Sequence, residues 1–468
     1  SSLCMNTKKY NFILDVDSYK VSHFKQYPKS TQKLSAYIEA RDLNNQELVF
    51  FGLQAFIKKY LLNPITMEDI NEAEQFYMDH IGIFNRQDWE YILNQHNGFL
   101  PLEIQSIDEG SIVDNPIPLV QIVNTDIKVP WLVSYIETAL LRSIWYPTTV
   151  STISREIKKI INHYLSITST KYEEDLPFKL HDFGARGVSS LESSQIGGAA
   201  HLINFLGSDT VEGAIFLRDY YSGEDISYSI PASEHSTITS WGEENELEAH
   251  ENVIDIFLKE DGKVAASVID SYNTFDTATN IISNELKSKI INSGGRLVVR
   301  PDSGDLPETI IKLLDILSNE KNFGFLWNDK GYKELPDYIR VIQGDGVDKD
   351  VINEILLSMQ KNKYSANNIT FGMGGSLLQK VDRDTFSFAM KVSALHDGVA
   401  WRDVYKKPIT DKSKNSRGGR FAIMKNQKIK IISEDKEIQN NLLKKRYENG
   451  KLFNEIFLDE IRLNAALS

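Results

Sequence analysis

His181-Asp182-Phe183-Gly184-Ala185-Arg186-Gly187 crowds a histidine, a carboxylate, an aromatic ring, a guanidinium and two glycines into one short stretch. Residues 178–180 before it are strand-like, and residues 188–205 after it have helix-like spacing. The stretch therefore reads as a turn between a strand and a helix. Its composition is wrong for a core and suited to a ligand carrying a flat ring and a phosphate. Arg186 can fork onto phosphate oxygens, Phe183 can stack on a heteroaromatic ring, and the glycines let backbone N–H groups approach an anion at a helix start.

The same strand–turn–helix unit recurs along the chain. Residues 203–205 lead into Gly207-Ser208-Asp209-Thr210 and a helix over 211–220. Residues 264–269 lead into Asp270-Ser271-Tyr272-Asn273 and a helix reaching about Ile291. Residues 297–299 lead into Arg300-Pro301-Asp302-Ser303-Gly304, then a helix opened by Asp305 as cap with Pro307 in its first turn. Residues 338–342 precede Gln343-Gly344-Asp345-Gly346-Val347-Asp348, and residues 369–371 precede Gly372-Met373-Gly374-Gly375-Ser376. Strand–helix alternation implies parallel pairing with right-handed crossovers. Polar and glycine residues follow every strand, which suits an irregular (β/α) barrel with ligands at the strand ends. A doubly wound sheet would concentrate them at one switch point.

Outside this region the pattern differs. Residues 11–15 and 34–40 read as strands, 50–62 and 68–80 as helices, and 102–121 as strand-rich; a long helix starts near Ser151. Residues 166–177 are polar and read as a linker. After about residue 390 strands and charged loops return, with a basic run from Lys406 to Arg420 and a helical, charged tail over 437–467. The expected fold is α/β: a barrel domain over 178–389, inserted in a mixed α+β domain made from 1–177 and 390–468.

The 468-residue length supports two domains. A net charge of −13 argues against nucleic-acid or anionic-membrane partners, so a phosphorylated substrate needs a local basic pocket. The apolar run 130–145 is too short to span a bilayer and carries Glu137 and Arg142. With no secretory h-region and a single cysteine, Cys4, the expectation is a cytoplasmic protein without internal disulfides. Residues 1–4, ahead of Met5, have the look of a cloning remnant.

Several side chains are candidates for chemistry. The glycine turns at 344–346 and 372–375 belong to the last two units, where barrels commonly hold a phosphate on backbone N–H groups; tight turns alone are the plainer alternative. Arg300 and Asp302 are either an ion pair at a helix start or contacts to a ligand and its ribose hydroxyls. Asp270 and Asp345 suit hydroxyl or hard-cation contacts, but no fixed metal-ligand spacing appears, so any Mg²⁺ is shared with substrate phosphates. His235 follows Glu234 in a loop of small residues, where a carboxylate can orient its ring. Arg383 alone reads as a surface charge.

These motifs, together with Asp17-Ser18-Tyr19-Lys20, residues 23–28, 228–242 and 371–380, occur in one order along nearly the whole chain. In them the chain resembles the nicotinamide phosphoribosyltransferases, of the type II phosphoribosyltransferase family. The resemblance implies transfer of phosphoribosyl from phosphoribosyl pyrophosphate to nicotinamide. It also implies a homodimer with active sites at the interface, and ATP as a coupled, non-obligatory substrate. By position, Phe183 and the partner's Tyr19, with Asp17 nearby, take the pyridine ring. Arg300 meets the carboxamide oxygen and Asp209 its nitrogen. Arg186, Gly374, Gly375 and Arg383 hold the 5′-phosphate, while Asp302, Gly344 and Asp345 face the ribose. His235, with Glu234 and Asp270, corresponds to a histidine phosphorylated by ATP, and Lys406 and Lys414 fall where the family binds pyrophosphate. Ala185, Ala266 and Ser376 depart from the family's usual tyrosine, serine and glycine. The rivals are a nicotinate phosphoribosyltransferase, a catalytically silent binding protein of the same fold, and an unrelated phosphate-binding barrel.

Overall fold

The computed structural model describes residues 9–433 and 436–468, so Cys4 and residues 1–4 lie outside the described residues. The chain forms two compact units. One comprises Ser1–Thr152, Asp219–Ser222 and Asp382–Ala465; the other comprises Ile153–Arg218, Gly223–Val381 and Ala466–Ser468. The boundaries expected at 177 and 389 thus move to 152 and 381. The stretch read as a linker carries structure: the helix Glu137–Thr168 runs into it and short helical turns fill 172–178.

The first unit is built on a seven-stranded antiparallel sheet in the order Trp401–Asp403, Phe388–His396, Lys33–Ala40, Val120–Asn124, Leu102–Ser106, Lys444–Glu448, Lys451–Leu452. The C-terminal segment thus supplies strands to both flanks of an N-terminal centre. Helix Met67–His80 starts where the Thr66 side chain caps Asp69 N–H and the Asp69 carboxylate returns the bond, which satisfies two orphan donors. Two expectations fail in this unit. Residues 11–15 form a tight helical turn, Phe12–Leu14, because the Asn11 side chain captures the Ile13 N–H at 3.1 Å. The tail is not one helix: Lys444–Glu448 and Lys451–Leu452 join the antiparallel sheet, with Arg446 and Tyr447 buried there, and a helix forms at Leu458–Asn464.

The second unit is the barrel. Five parallel strands pair in the order Leu180–Asp182, Ile369–Met373, Ile339–Gln343, Arg296–Arg300, Val264–Val268. Single parallel bridges carry the pairing on from Asp182 to Ser208, from Gly207 to Tyr228, and from Ala232 to Ala266, so the cycle returns to its start. Inward-facing Ala266, Val298 and Ile342 pack with Ile230 and Phe183, while Ala265, Leu297, Val299 and Val341 are buried on the other face. Residues 203–205 are not a strand but the turn after helix Leu191–His201, with pairing delayed to 207 and 208. Residues 228–232, which complete the ring, lack the strand–helix signature. Asp305 does not cap with its side chain; its carbonyl takes the Thr309 N–H at 2.9 Å and Pro307 is the cap of Glu308–Ser318. Among the described residues no helix is long and apolar enough to cross a membrane.

Helices Leu191–His201 and Val211–Tyr220 touch backbone to backbone, since a Cβ on Gly213 would lie 2.5 Å from the Gly198 carbonyl carbon. Gly213→Ala should therefore destabilise the protein by about 1–3 kcal/mol through overpacking. A thermal melt with an unchanged midpoint would refute this close approach.

Candidate active site

The barrel encloses a cavity of about 490 Å³, lined at one end by Phe183, Asp209, Ser229 and Arg300 and further in by Ile230, Ala266, Val298 and Ile342. Phe183 sets its geometry. Its N–H donates to the Met373 carbonyl at 2.9 Å. Its ring lies on bare backbone: a Cβ on Gly372 would fall 1.9 Å from the Phe183 Cε2, and one on Gly344 3.0 Å from the same atom. The two glycines thus admit a ring to the strand ends where any side chain would displace it. Arg300 stands with its guanidinium 5.3 Å from the ring centroid, a cation–π distance. Arg300 Nε donates to Asp302 Oδ1 at 2.5 Å, and Asp302 adopts a left-handed φ of 55° to reach back to it.

The carboxylates at neighbouring strand ends each have a different partner. Asp182 is fully buried and accepts the Gly184 N–H at 2.7 Å; burial pushes its pKa up to about 6, against the pull of that N–H. Asp209 donates its own N–H to the Asp182 carbonyl at 2.9 Å and accepts the Ser229 hydroxyl. Asp270, whose side chain is 5% exposed, accepts His235 Nε2–H at 2.6 Å on Oδ1 and the Ser303 hydroxyl on Oδ2. Asp270, not Glu234, therefore orients His235. Glu234 caps the helical turn His235–Thr239 and accepts the Ser236 hydroxyl at 2.7 Å, because a carboxylate at the first position of a turn is drawn to the free N–H groups there.

Arg186 is exposed on the turn Ala185–Gly187. That turn abuts the last glycine turn, since a Cβ on Gly187 would be 3.6 Å from the Gly375 N. Gly375 and Ser376 open a short helix at Gly374, so their N–H groups precede the first intrahelical bond. Asp345 is exposed, with its carbonyl taking the Gln343 side-chain amide at 2.8 Å. The remaining sequence candidates belong to the first unit. Tyr19 is 58% exposed, with its ring 5.2 Å from His23, and Asp17 accepts the Thr138 hydroxyl at 3.0 Å. Arg383 donates to the Phe388 carbonyl at 3.2 Å, and Lys414 ends an exposed turn, Lys412–Lys414.

Sequence reasoning missed three sets of residues. Lys391 is a half-buried lysine whose pKa is lowered by burial and then by Lys406, against the pull of Glu137, with Arg41 and Arg383 adding to the lowering; the four cations act on one another in the first unit. Lys179 is buried in the barrel, donates to the carbonyls of Asn367 and Ile369 at 2.8 and 3.0 Å, and is pushed down to about 7 by burial. Ser229 and Ser303 hold the carboxylates. Only Lys179, one residue before a strand of the motif, left a sequence signal.

A parallel barrel with a ring slot at its strand ends, beside an arginine and a glycine turn, is the layout of an enzyme acting on a ring-bearing phosphate ester. The profile of the nicotinate phosphoribosyltransferase (NAPRTase) family matches residues 178–451, and that of the nicotinamide phosphoribosyltransferase N-terminal domain matches residues 11–104. The nicotinamide phosphoribosyltransferase of Xanthomonas campestris pv. campestris is 42% identical over 463 residues, covering 97% of this chain and 98% of that one. The enzyme of the same name from Acinetobacter baylyi is 30% identical, with 96% of each chain covered. The solved structure of nicotinate-nucleotide pyrophosphorylase from Pyrococcus furiosus has a TM-score of 0.60 at 16% identity, covering 99% of this chain and 97% of that one. Human nicotinic acid phosphoribosyltransferase has a TM-score of 0.58 at 14% identity, covering 96% and 92%. The chain belongs to the nicotinate phosphoribosyltransferase family.

Burial of Asp182 has a measurable consequence. Between its ordinary value of 3.8 and its folded value of about 6, the folded chain holds a proton that the unfolded chain releases. Its contribution to stability is therefore greatest below about pH 4 and is lost as pH rises through 6, a swing of roughly 3 kcal/mol. In denaturant titrations, the stability of wild type relative to Asp182→Asn should fall by about this much from pH 4 to pH 7. A flat difference would show that Asp182 is not held in a dry site.

Proposed function

We propose that this chain transfers the phosphoribosyl group of phosphoribosyl pyrophosphate to the pyridine nitrogen of nicotinamide. The observation that carries the reading is the Phe183 ring, backed by Gly344 and Gly372, with Arg300 and Asp209 lining the same cavity. Phe183 stacks on the pyridine, Arg300 donates to the carboxamide oxygen, and Asp209 accepts from the carboxamide nitrogen. In the reaction the C1′–O bond to pyrophosphate breaks, its electron pair leaves with the pyrophosphate, and a C1′–N bond forms to give the pyridinium nucleotide. No proton has to move, so catalysis is positioning and electrostatics. Asp302 and Gly344 face the ribose, and Arg186 with the N–H groups of the turn at Gly374 and Gly375 holds the 5′-phosphate. Stacking contributes roughly 0.5–1.5 kcal/mol beyond burial.

Nicotinate is the competing substrate. Asp209 counts against it, because a carboxylate ligand would lose the N–H bond and meet like charge. Among the described residues no three His, Cys, Asp or Glu side chains could together hold a metal ion, and the site carboxylates already have protein partners. Mg²⁺ therefore fits as an ion bound to substrate phosphates, where it supplies charge neutralisation for the leaving pyrophosphate.

The reading extends to ATP. Because Asp270 holds His235 Nε2–H, the free nitrogen of this half-exposed ring is Nδ1. It can attack the γ-phosphorus of ATP with ADP leaving. Further parts of the proposal are a homodimer, in which the exposed Tyr19 and the basic group around Lys391, Arg383 and Lys406 serve a second copy, and a cytoplasmic setting.

The first experiment is to incubate the protein with nicotinamide, phosphoribosyl pyrophosphate and Mg²⁺, with nicotinate as comparator. Nicotinamide mononucleotide should form, and Asp209→Ser should shift preference toward nicotinate; wild type preferring nicotinate would overturn the assignment. For the ATP step, His235→Ala should retain measurable transfer but lose stimulation by ATP. Equal stimulation in that variant would remove His235 from the role.

A further inference from the structure

Asp209 reaches the cavity through a device of its own. Its backbone is pinned by its N–H bond to the Asp182 carbonyl at 2.9 Å and by the following Thr210 N–H, which donates to Ser208 Oγ at 2.9 Å. The segment beside it is pinned as well: Tyr228 N–H donates to the Leu206 carbonyl at 2.7 Å, and Ser208 N–H donates to the Tyr228 carbonyl at 3.0 Å. Between these two anchored backbones the Ser229 hydroxyl donates to Asp209 Oδ1. Ser229 and Asp209 both line the cavity that Phe183 and Arg300 line. Among the described residues no hydrogen bond reaches Asp209 Oδ2. Asp182, a second carboxylate, and His181, whose pKa burial lowers, both feel the charge of Asp209, and Arg300 lines the same cavity.

A carboxylate on a turn is free to rotate about its last bond, and a rotating acceptor selects poorly between an amide and an acid. We propose that Ser229 is a specificity-positioning residue: by occupying Oδ1 it fixes the plane of the Asp209 carboxylate and leaves Oδ2 as the single acceptor for the substrate amide N–H. The inference rests on the nicotinamide reading of this cavity. It adds that selectivity belongs to a pair of residues from two different strand ends, not to the aspartate alone. Without the hydroxyl the carboxylate is free to turn, so Ser229→Ala weakens discrimination between the amide and the acid.

The test is steady-state kinetics of wild type, Ser229→Ala, Ser229→Thr, Asp209→Ser and the double variant with nicotinamide and with nicotinate between pH 6 and 8. Loss of a hydrogen bond to a charged group predicts that Ser229→Ala lowers the nicotinamide-to-nicotinate ratio of kcat/KM about ten-fold. The loss should appear mainly in KM for nicotinamide, and Ser229→Thr, which keeps the hydroxyl, should restore the ratio. In the Asp209→Ser background, removal of the Ser229 hydroxyl should change the ratio less than two-fold, because the two act as one unit. A general structural defect would lower kcat for both substrates and persist in that background. If Ser229→Ala does not fold, Ser229→Cys, with a weak S–H donor, should give an intermediate ratio. A ratio unchanged in Ser229→Ala, or equal effects in both backgrounds, overturns the proposal while leaving the activity intact. Wild type that does not turn over nicotinamide overturns both.

Discussion

A benzyl side chain resting on backbone with no Cβ beneath it is the contact on which this site depends. Phe183 comes within van der Waals distance of Gly344 and Gly372 only because those positions carry hydrogen alone. The ring is thereby set at the strand ends of the barrel with Arg300 alongside. Its own backbone bond to Met373 joins the first strand of the barrel to the last. The turn that follows, carrying Arg186, is then laid against the glycine turn at Gly374 and Gly375. The placing of the Phe183 ring and the placing of the Arg186 turn are thus two consequences of one packing constraint.

The acidic character of the chain, −13 overall, persists at the site, where Asp182, Asp209, Asp270 and Asp302 sit at or just after barrel strands or bridges. What separates them is the partner each meets. Asp182 is dry and bonded to a backbone N–H, so its proton is held toward neutral pH. Asp209 has one oxygen on a hydroxyl. Asp270 is shared between an imidazole and a hydroxyl, and Asp302 holds a guanidinium. Identical side chains at similar places in the repeat thus meet different partners: a backbone N–H, a hydroxyl, an imidazole with a hydroxyl, and a guanidinium.

The repeat of apolar run, polar turn and helix made the barrel legible, because parallel strands buried on both faces must be short and apolar and their ends must be loops. The pattern failed where a segment pairs through a single bridge. Residues 228–232 close the ring, yet they contain Ser229 and Pro231 and no helix of repeat length follows directly. The tail misled for a related reason: a run of lysine, arginine and glutamate resembles a charged helix when the sheet that Lys444–Glu448 joins is not in view. Glu234 misled because adjacency in sequence suggested a pairing with His235 that the helical turn directs elsewhere.

The sequence by itself determined the strand–helix alternation, the placing of glycine and charge after each strand, and the motif order that marks the family. These depend on local periodicity and on residue type, which are properties of the chain read linearly. Tertiary structure alone decided which carboxylate holds which side chain: Asp270 for His235 across 35 positions, Ser229 for Asp209 across 20, and Lys391 among Arg41, Arg383 and Lys406. A hydrogen bond is settled by angles and distances of tenths of an ångström, and those are fixed only when the strands that carry the two groups lie side by side.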